Sequence, residues 1–274
     1  MKQLKVKIIK KDNISDSCFK LSLKSDYLKK TAKPGQFVSV KCSDTTSPLL
    51  KRPFGIHKVT SHGIELLIKK AGKATQLLSQ KKEGDEIIVL GPLGQGFEIE
   101  HKKNDILLVA GGYGVVPLYF LADQIIKKNK GAKIKVFIGG KTKNDIFCAE
   151  DFKKLKAELY FSTNDGSYGH KGFVTSVLMK EIVKLEPKNC VIYACGPNPL
   201  LMAISDISKE EKIKAQVSME EYLACGIGVC MGCAIETTQG KKLVCKDGPV
   251  FNAEEILWKI PENLNKAIDQ RINL

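Results

Sequence analysis

Apolar and polar residues alternate through the first hundred residues of the chain. LKVKIIKK, FKLSLKS, QFVSVKC, FGIHKV, IELLIKK and DEIIVLG each show a period of two or a β-branched run. Turn signals separate them at Pro34-Gly35, His62-Gly63 and Glu83-Gly84. About six short strands without a long helix predict a small antiparallel β-barrel over residues 1–100.

The pattern changes at about residue 101. DILLVAGG is a continuous apolar strand ending in glycines, and VVPLYFLADQIIKKN carries apolar residues at helical spacing. Further strands are predicted at KIKVFIGG, AELYFST and NCVIYACG, with helices at CAEDFKKLK, FVTSVLMKEIV and PLLMAISDIS. Strands alternating with helices predict a parallel α/β sheet over residues 101–215. Residues 216–251 are loop-rich, and the third part is expected to cover 216–274. In its tail, Leu257, Ile260, Leu264, Ile268 and Ile272 recur about every fourth residue, broken by Pro261, which predicts a short amphipathic helix. No internal repeat or low-complexity segment is present.

A length of 274 residues suffices for two domains and a small appendage. The opening MKQLKVKIIKK alternates like a strand and does not read as an export signal. The longest uncharged stretch, Ile106 to Ala122, is too short for a membrane span and contains Gly111, Gly112, Gly114 and Pro117. Nine cysteines without export features point to a reducing, cytoplasmic setting. The net charge of +14 raises nucleic-acid binding as an option. The lysines are scattered, lack interleaved aromatics, and are joined by only two arginines, Arg52 and Arg271. The expectation is a solvated lysine surface or a face for an acidic partner, with neither nucleic acid nor membrane as ligand.

The most specific chemistry lies in CGIGVCMGCAIETTQGKKLVC. Cys225, Cys230, Cys233 and Cys245 follow the plant-type [2Fe–2S] spacing of C-x4-C-x2-C and one distant cysteine. The intervening glycines let the backbone wrap closely and aim N–H groups at sulfur. Zinc and disulfides are the competing readings. Zinc ribbons present two C-x2-C pairs where this chain has one, and disulfides lack an export context.

Four further segments suit a flavin and a nicotinamide dinucleotide. Arg52-Pro53-Phe54-Gly55-Ile56-His57 sits on a predicted barrel strand, and Gly72-Lys73-Ala74-Thr75 follows another. A pyrophosphate needs an arginine fork and donors from a turn or helix N-terminus. Gly111-Gly112-Tyr113-Gly114-Val115-Val116-Pro117-Leu118 links a buried strand to a helix, where amides and the helix dipole favour an anion. It is not G-x-G-x-x-G, so the general dinucleotide fingerprint does not apply. Cys195-Gly196-Pro197-Asn198-Pro199 ends another parallel strand, where open α/β sheets place ligands. Structural turns, a structural arginine and an inert buried cysteine are the plainer alternatives for these segments taken singly.

RPFGIH, GKAT, GGYGVVPL and CGPNPL stand in the order used by the ferredoxin–NADP reductase superfamily. ACGIGVCMGCAIET…VCKDGPVF resembles the electron-transfer subunits of type B dihydroorotate dehydrogenases, and the likeness spans residues 1–251. The resemblance implies an FAD-binding barrel, an NAD-binding domain and a [2Fe–2S] domain. It places Arg52, Pro53, Phe54, Gly55, Ile68, Lys70, Gly72 and Thr75 near FAD. It places Gly111, Gly112, Gly114, Val115, Pro117, Cys195, Gly196 and Pro197 at NAD(H), and Cys225, Cys230, Cys233 and Cys245 on the cluster. It also implies a separate FMN-containing catalytic subunit that oxidises dihydroorotate, in a heterotetramer, with no side chain needed as acid or base for the hydride step.

One departure is Gly55, which stands where the family pattern R-P-x-[ST] has a hydroxyl. Phe161-Ser162-Thr163-Asn164-Asp165 offers an acidic residue and no arginine, which favours NAD over NADP, although Lys141 and Lys143, after another strand, could supply the charge a 2′-phosphate needs. The competing functions are the flavin subunit of a ferredoxin:NADP oxidoreductase or sulfide dehydrogenase complex, and a non-catalytic redox sensor or zinc-bearing module.

Overall fold

The computed structural model describes residues 1–129 and 131–258. Its first part is a closed antiparallel barrel of β1 (Lys2–Ser15), β2 (Cys18–Lys24), β3 (Phe37–Val40), β4 (Arg52–Val59), β5 (Gly63–Lys69) and β6 (Glu86–Leu93), in the order β1-β2-β5-β4-β3-β6. Alternation sends Phe19, Leu21, Leu23, Val38, Val40 and Leu66 into the barrel core. Two short helices interrupt it, α1 (Asp26–Thr31) and α2 (Lys73–Gln80). Ser25 caps α1 by accepting from the Leu28 amide at 3.2 Å. Gly63 starts β5 where a Cβ would stand 2.0 Å from the Leu23 carbonyl oxygen, so the β4–β5 turn requires glycine there.

The second part is a seven-stranded sheet in the order β10-β9-β8-β7-β11-β12-β15. The strands β7 (Asp105–Gly111), β8 (Lys133–Gly140), β9 (Glu158–Thr163), β10 (His170–Lys171), β11 (Cys190–Cys195) and β12 (Lys214–Ser218) are parallel. The helices α3 (Val115–Lys128), α4 (Ala149–Lys154), α5 (Val174–Ile182) and α6 (Asn198–Glu210) connect them. Strand order runs outward from β7 through β8 and β9 on one side and resumes at β11 on the other. The carboxyl ends of β7 and β11 therefore flank the topological switch point, where such sheets bind ligands.

The third part is not a detached appendage. Its hairpin of β13 (Ala234–Thr237) and β14 (Gly240–Leu243) is followed by β15 (Val250–Asn252), which joins the large sheet antiparallel to β12. A division between residues 215 and 216 falls within β12. Phe37 and Leu93 of the barrel, Val217 of the sheet, and Cys233, Leu243, Cys245 and Phe251 share one core. Leu257 lies in an irregular segment, while Ile260, Leu264, Ile268 and Ile272 of the expected tail helix lie outside the described residues. Among the described residues, no helix is long and apolar enough to cross a membrane.

Candidate functional site

The cysteine loop spans Cys225 to Cys233. Gly226 (φ +70°), Gly228 (φ +83°) and Met231 (φ +61°) adopt left-handed backbone, curling successive amides toward the sulfurs. Cys225 Sγ accepts from the amides of Ile227, Val229 and Cys230 at 3.5, 3.4 and 3.4 Å. Cys245 Sγ accepts from Gly228 at 3.1 Å, and Cys233 Sγ from the Cys245 amide at 3.5 Å. The Ile227 and Cys230 amides are the main cause that pulls the Cys225 thiol down to about 6. Burial, and then its neighbour Cys233, push Cys245 up to about 12.

The sulfurs fall into two pairs. Cys230 is the thiol neighbour of Cys225, and Cys233 that of Cys245. This pairing of thiols suits a [2Fe–2S] unit, in which each iron takes two thiolates.

The cysteine loop packs on the barrel. A Cβ at Gly226 would stand 3.2 Å from Ser39 Oγ and 3.9 Å from Leu93 Cδ1. Ser39 is the cross-strand partner of Pro53, and Phe37 that of Gly55. Val38 and Val40 fill the barrel core, so Ser39, Pro53, Phe37 and Gly55 occupy its outer face. Gly55 in turn lies against Pro117 of α3, since a Cβ there would be 3.9 Å from Pro117 Cδ.

Two loops meet at the switch point. A Cβ on Gly114 would stand 2.0 Å from the Cys195 carbonyl oxygen, and one on Gly111 2.7 Å from Pro197 Cδ. A Cβ on Gly196 (φ +156°) would stand 2.9 Å from the Gly111 amide nitrogen. Gly112 (φ +54°) has open space over it. The loops therefore pack backbone to backbone and leave Gly112 as an open approach. Val115 is fully buried in the core, and Pro117 is buried against the barrel. Cys195 is buried, and desolvation together with the Glu220 carboxylate holds its thiol well above the ordinary range.

Other expected residues have narrower roles. Thr75 Oγ1 accepts from the amides of Ala71 and Gly72 at 2.9 and 3.2 Å and donates to the Gly72 carbonyl at 2.9 Å. Its hydroxyl thus shapes the turn into α2, and the space over Gly72 is open. Arg52 is half-buried and donates to the Leu50 carbonyl at 2.8 Å. Ile68 packs in the barrel core, while the Lys70 amide donates to Ser17 at 2.8 Å. Asp165 is already engaged by the amide and hydroxyl of Ser167, at 2.9 and 2.7 Å.

Sequence reasoning missed two contributors. Ser39 lies in a strand read only for its alternation, and its link to Gly226 joins positions far apart in the chain. The 252-side strand β15 is too short for any periodicity to reveal.

Three family models match in chain order: an oxidoreductase FAD-binding domain over residues 5–99, an oxidoreductase NAD-binding domain over 108–206, and the iron-sulfur cluster binding domain of dihydroorotate dehydrogenase B over 220–257. The chain is 38% identical to the dihydroorotate dehydrogenase B (NAD(+)) electron transfer subunit of Bacillus pumilus, covering 93% of this chain and 98% of the relative. The corresponding subunit of Caldanaerobacter subterraneus is also 38% identical, covering 93% and 99%. A solved structure of an NADH-dependent reduced ferredoxin-NADP oxidoreductase superposes with a TM-score of 0.81 at 31% identity, over 97% of this chain and 93% of that one. The cytochrome b5 reductase domain of Ulva prolifera nitrate reductase shares the fold, with a TM-score of 0.64 at 18% identity over 77% and 94%. Barrel, switch-point loops and paired cysteines thus coincide with full-length likeness, and the chain belongs to the family of dihydroorotate dehydrogenase B electron transfer subunits.

Proposed function

We propose that the chain passes reducing equivalents from a dihydroorotate-oxidising, FMN-containing partner to NAD+, in a cytoplasmic heterotetramer serving pyrimidine synthesis. It is an NAD-dependent flavin and iron–sulfur oxidoreductase subunit. When bound, a [2Fe–2S] cluster carries single electrons, nicotinamide takes a hydride, and FAD exchanges with both.

The carrying observation is the position of β3 and β4: Ser39 of β3, the cross-strand partner of Pro53, meets Gly226 of the cysteine loop, and Gly55 of β4 lies against Pro117 in the first turn of α3, just after the nucleotide loop. On this reading Cys225, Cys230, Cys233 and Cys245 hold the cluster, with amides of the loop donating to sulfur. Arg52, Pro53, Phe54, Gly55, Ile68, Lys70, Gly72 and Thr75 line or shape the flavin site. Gly111, Gly112, Gly114, Val115, Pro117, Cys195, Gly196 and Pro197 form the nicotinamide dinucleotide site, with the amides ahead of α3 facing the pyrophosphate. The side chains align the groups and exclude water; none is needed to move a proton in the hydride step.

An apolar patch supports the subunit reading. Tyr222, Val229 and Met231 are 94%, 74% and 55% exposed, and Val229 and Met231 flank the exposed Cys230 in the chain. Such a patch beside a redox site is suited to a partner surface. The likeness to the ferredoxin-NADP oxidoreductase favours a second reading, in which a ferredoxin-linked complex supplies the electrons. Anaerobic assay of the chain with a candidate FMN subunit separates the two. Dihydroorotate-dependent reduction of NAD+ is expected; turnover only with reduced ferredoxin overturns the primary reading.

A further inference from the structure

A second cluster of metal-ligating side chains lies where the barrel meets the nucleotide domain, apart from the four cluster cysteines. Among the described residues, His57, Cys148 and Asp151 place ligand atoms within 4.8 Å of one another. His57 comes from β4 and is fully buried. Cys148 caps α4 in left-handed conformation (φ +60°), and Asp151 lies one turn later. Glu65 of β5 adds a carboxylate 3.8 Å from His57 Nε2, and Asp151 Oδ2 is 3.6 Å from the same nitrogen.

The histidine is oriented for a ligand it lacks among these residues. Its Nδ1 lies 3.3 Å from the Val116 carbonyl oxygen, and its ring stacks on Tyr119 at 4.8 Å. A carbonyl accepts only, so Nδ1 donates to it and Nε2 is the ring nitrogen that faces the two carboxylates, without a partner at hydrogen-bond distance. Fixing one ring nitrogen on a backbone carbonyl while the other points inward is also how metal-ligating histidines are held.

The cation now nearest is Lys20, whose Nζ lies 2.8 Å from Asp151 and 3.6 Å from Glu65. A second cation, the exposed Lys154, stands 3.8 Å from Asp151 Oδ1.

We propose that His57 Nε2, Cys148 Sγ and the Asp151 carboxylate, with Glu65 as the fourth donor, form a site for a thiophilic divalent cation of the zinc class. The mixed N, S and O set suits that ion. Lys20, on its flexible stem, swings toward solvent when the ion enters. His57 and Glu65 belong to the barrel and Cys148 and Asp151 to the nucleotide domain, so the ion ties the two together directly behind the Gly55–Pro117 contact.

The test is equilibrium dialysis of the intact, cluster-loaded chain against micromolar zinc, followed by zinc, iron and flavin analysis. About one zinc per chain is expected, with iron unchanged. Cys148→Ser and Asp151→Asn should each cut zinc affinity at least about tenfold. Lys20→Met removes the competing ammonium and should tighten zinc binding about tenfold, an effect that a merely structural ion pair would not produce. Wild-type zinc content no higher than in the ligand variants overturns the proposal. Zinc gained only as iron is lost does the same, since the cluster cysteines would then be the ligands. Should Cys148→Ser fail to fold, Asp151→Asn and Lys20→Met decide, and weaker binding in Lys20→Met contradicts the site.

Discussion

Gly55 rests against Pro117, with 3.9 Å between the position of a Gly55 Cβ and Pro117 Cδ. This contact joins the strand of the flavin motif to the first turn of the helix behind the nucleotide loop. A Cβ at this position would meet Pro117 only in ordinary van der Waals contact, so the space admits a small side chain where the family pattern has a hydroxyl.

Gly55→Ser should therefore fold normally, within about 0.5 kcal/mol of the parent, and retain or raise FAD affinity. Gly55→Trp should fill the slot and abolish FAD retention. Flavin content after gel filtration checks both.

Gly114 and Gly112 should respond differently to alanine. At Gly114 the added Cβ collides with the Cys195 carbonyl oxygen, and Gly114→Ala should cost about 2–4 kcal/mol or prevent folding. At Gly112 the space is open and only the left-handed backbone is strained, so Gly112→Ala should cost about 1 kcal/mol. Thermal unfolding of the two variants gives the comparison.

How much of this was legible in the chain depends on range. The barrel strands, the alternating α/β elements and the four cysteines were read from local pattern, because alternation, helical spacing and ligand spacing are all short-range signals. The pairing of β15 with β12 was not, because Val250–Asn252 is too short to show a period. That the Thr75 hydroxyl closes on the Ala71–Gly72 turn was not legible either, because it depends on the geometry at the start of α2. His57 was read as part of a flavin motif; its surroundings draw on Lys20, Glu65, Cys148 and Asp151, whose approach exists only after two domains dock.

Glu181 gives a pH test of the nucleotide domain. Bonds from Lys135 and Lys184, at 2.7 and 2.6 Å, hold its carboxyl down at about 2, with a further one from Tyr160. The folded value lies below the ordinary 4.5, so its stabilisation is full above about pH 4.5 and fades as pH falls toward 2. Glu181→Gln should cost about 1–2 kcal/mol at neutral pH, after allowance for solvent screening. The gap in melting temperature between variant and parent should shrink steadily below pH 4.5; a gap independent of pH would contradict the assignment.

Cys230 is the most exposed of the four paired cysteines and stands between the exposed Val229 and Met231 in the chain. Cys230→Ser should lower iron and sulfide content and cut partner-dependent turnover at least about tenfold, while leaving flavin content intact. Unchanged iron and unchanged coupling would remove Cys230 from the site.

The central claim is that one chain holds the cluster, the flavin and the dinucleotide in electronic contact around β3 and β4. Anaerobic purification followed by flavin, iron and sulfide analysis and an NADH titration tests it most directly. About one FAD, two irons and two sulfides per chain, with both flavin and cluster absorbance bleached by NADH, is the predicted result. A colourless protein after reconstitution, or flavin that bleaches while a loaded cluster stays oxidised at every NADH level, would contradict it.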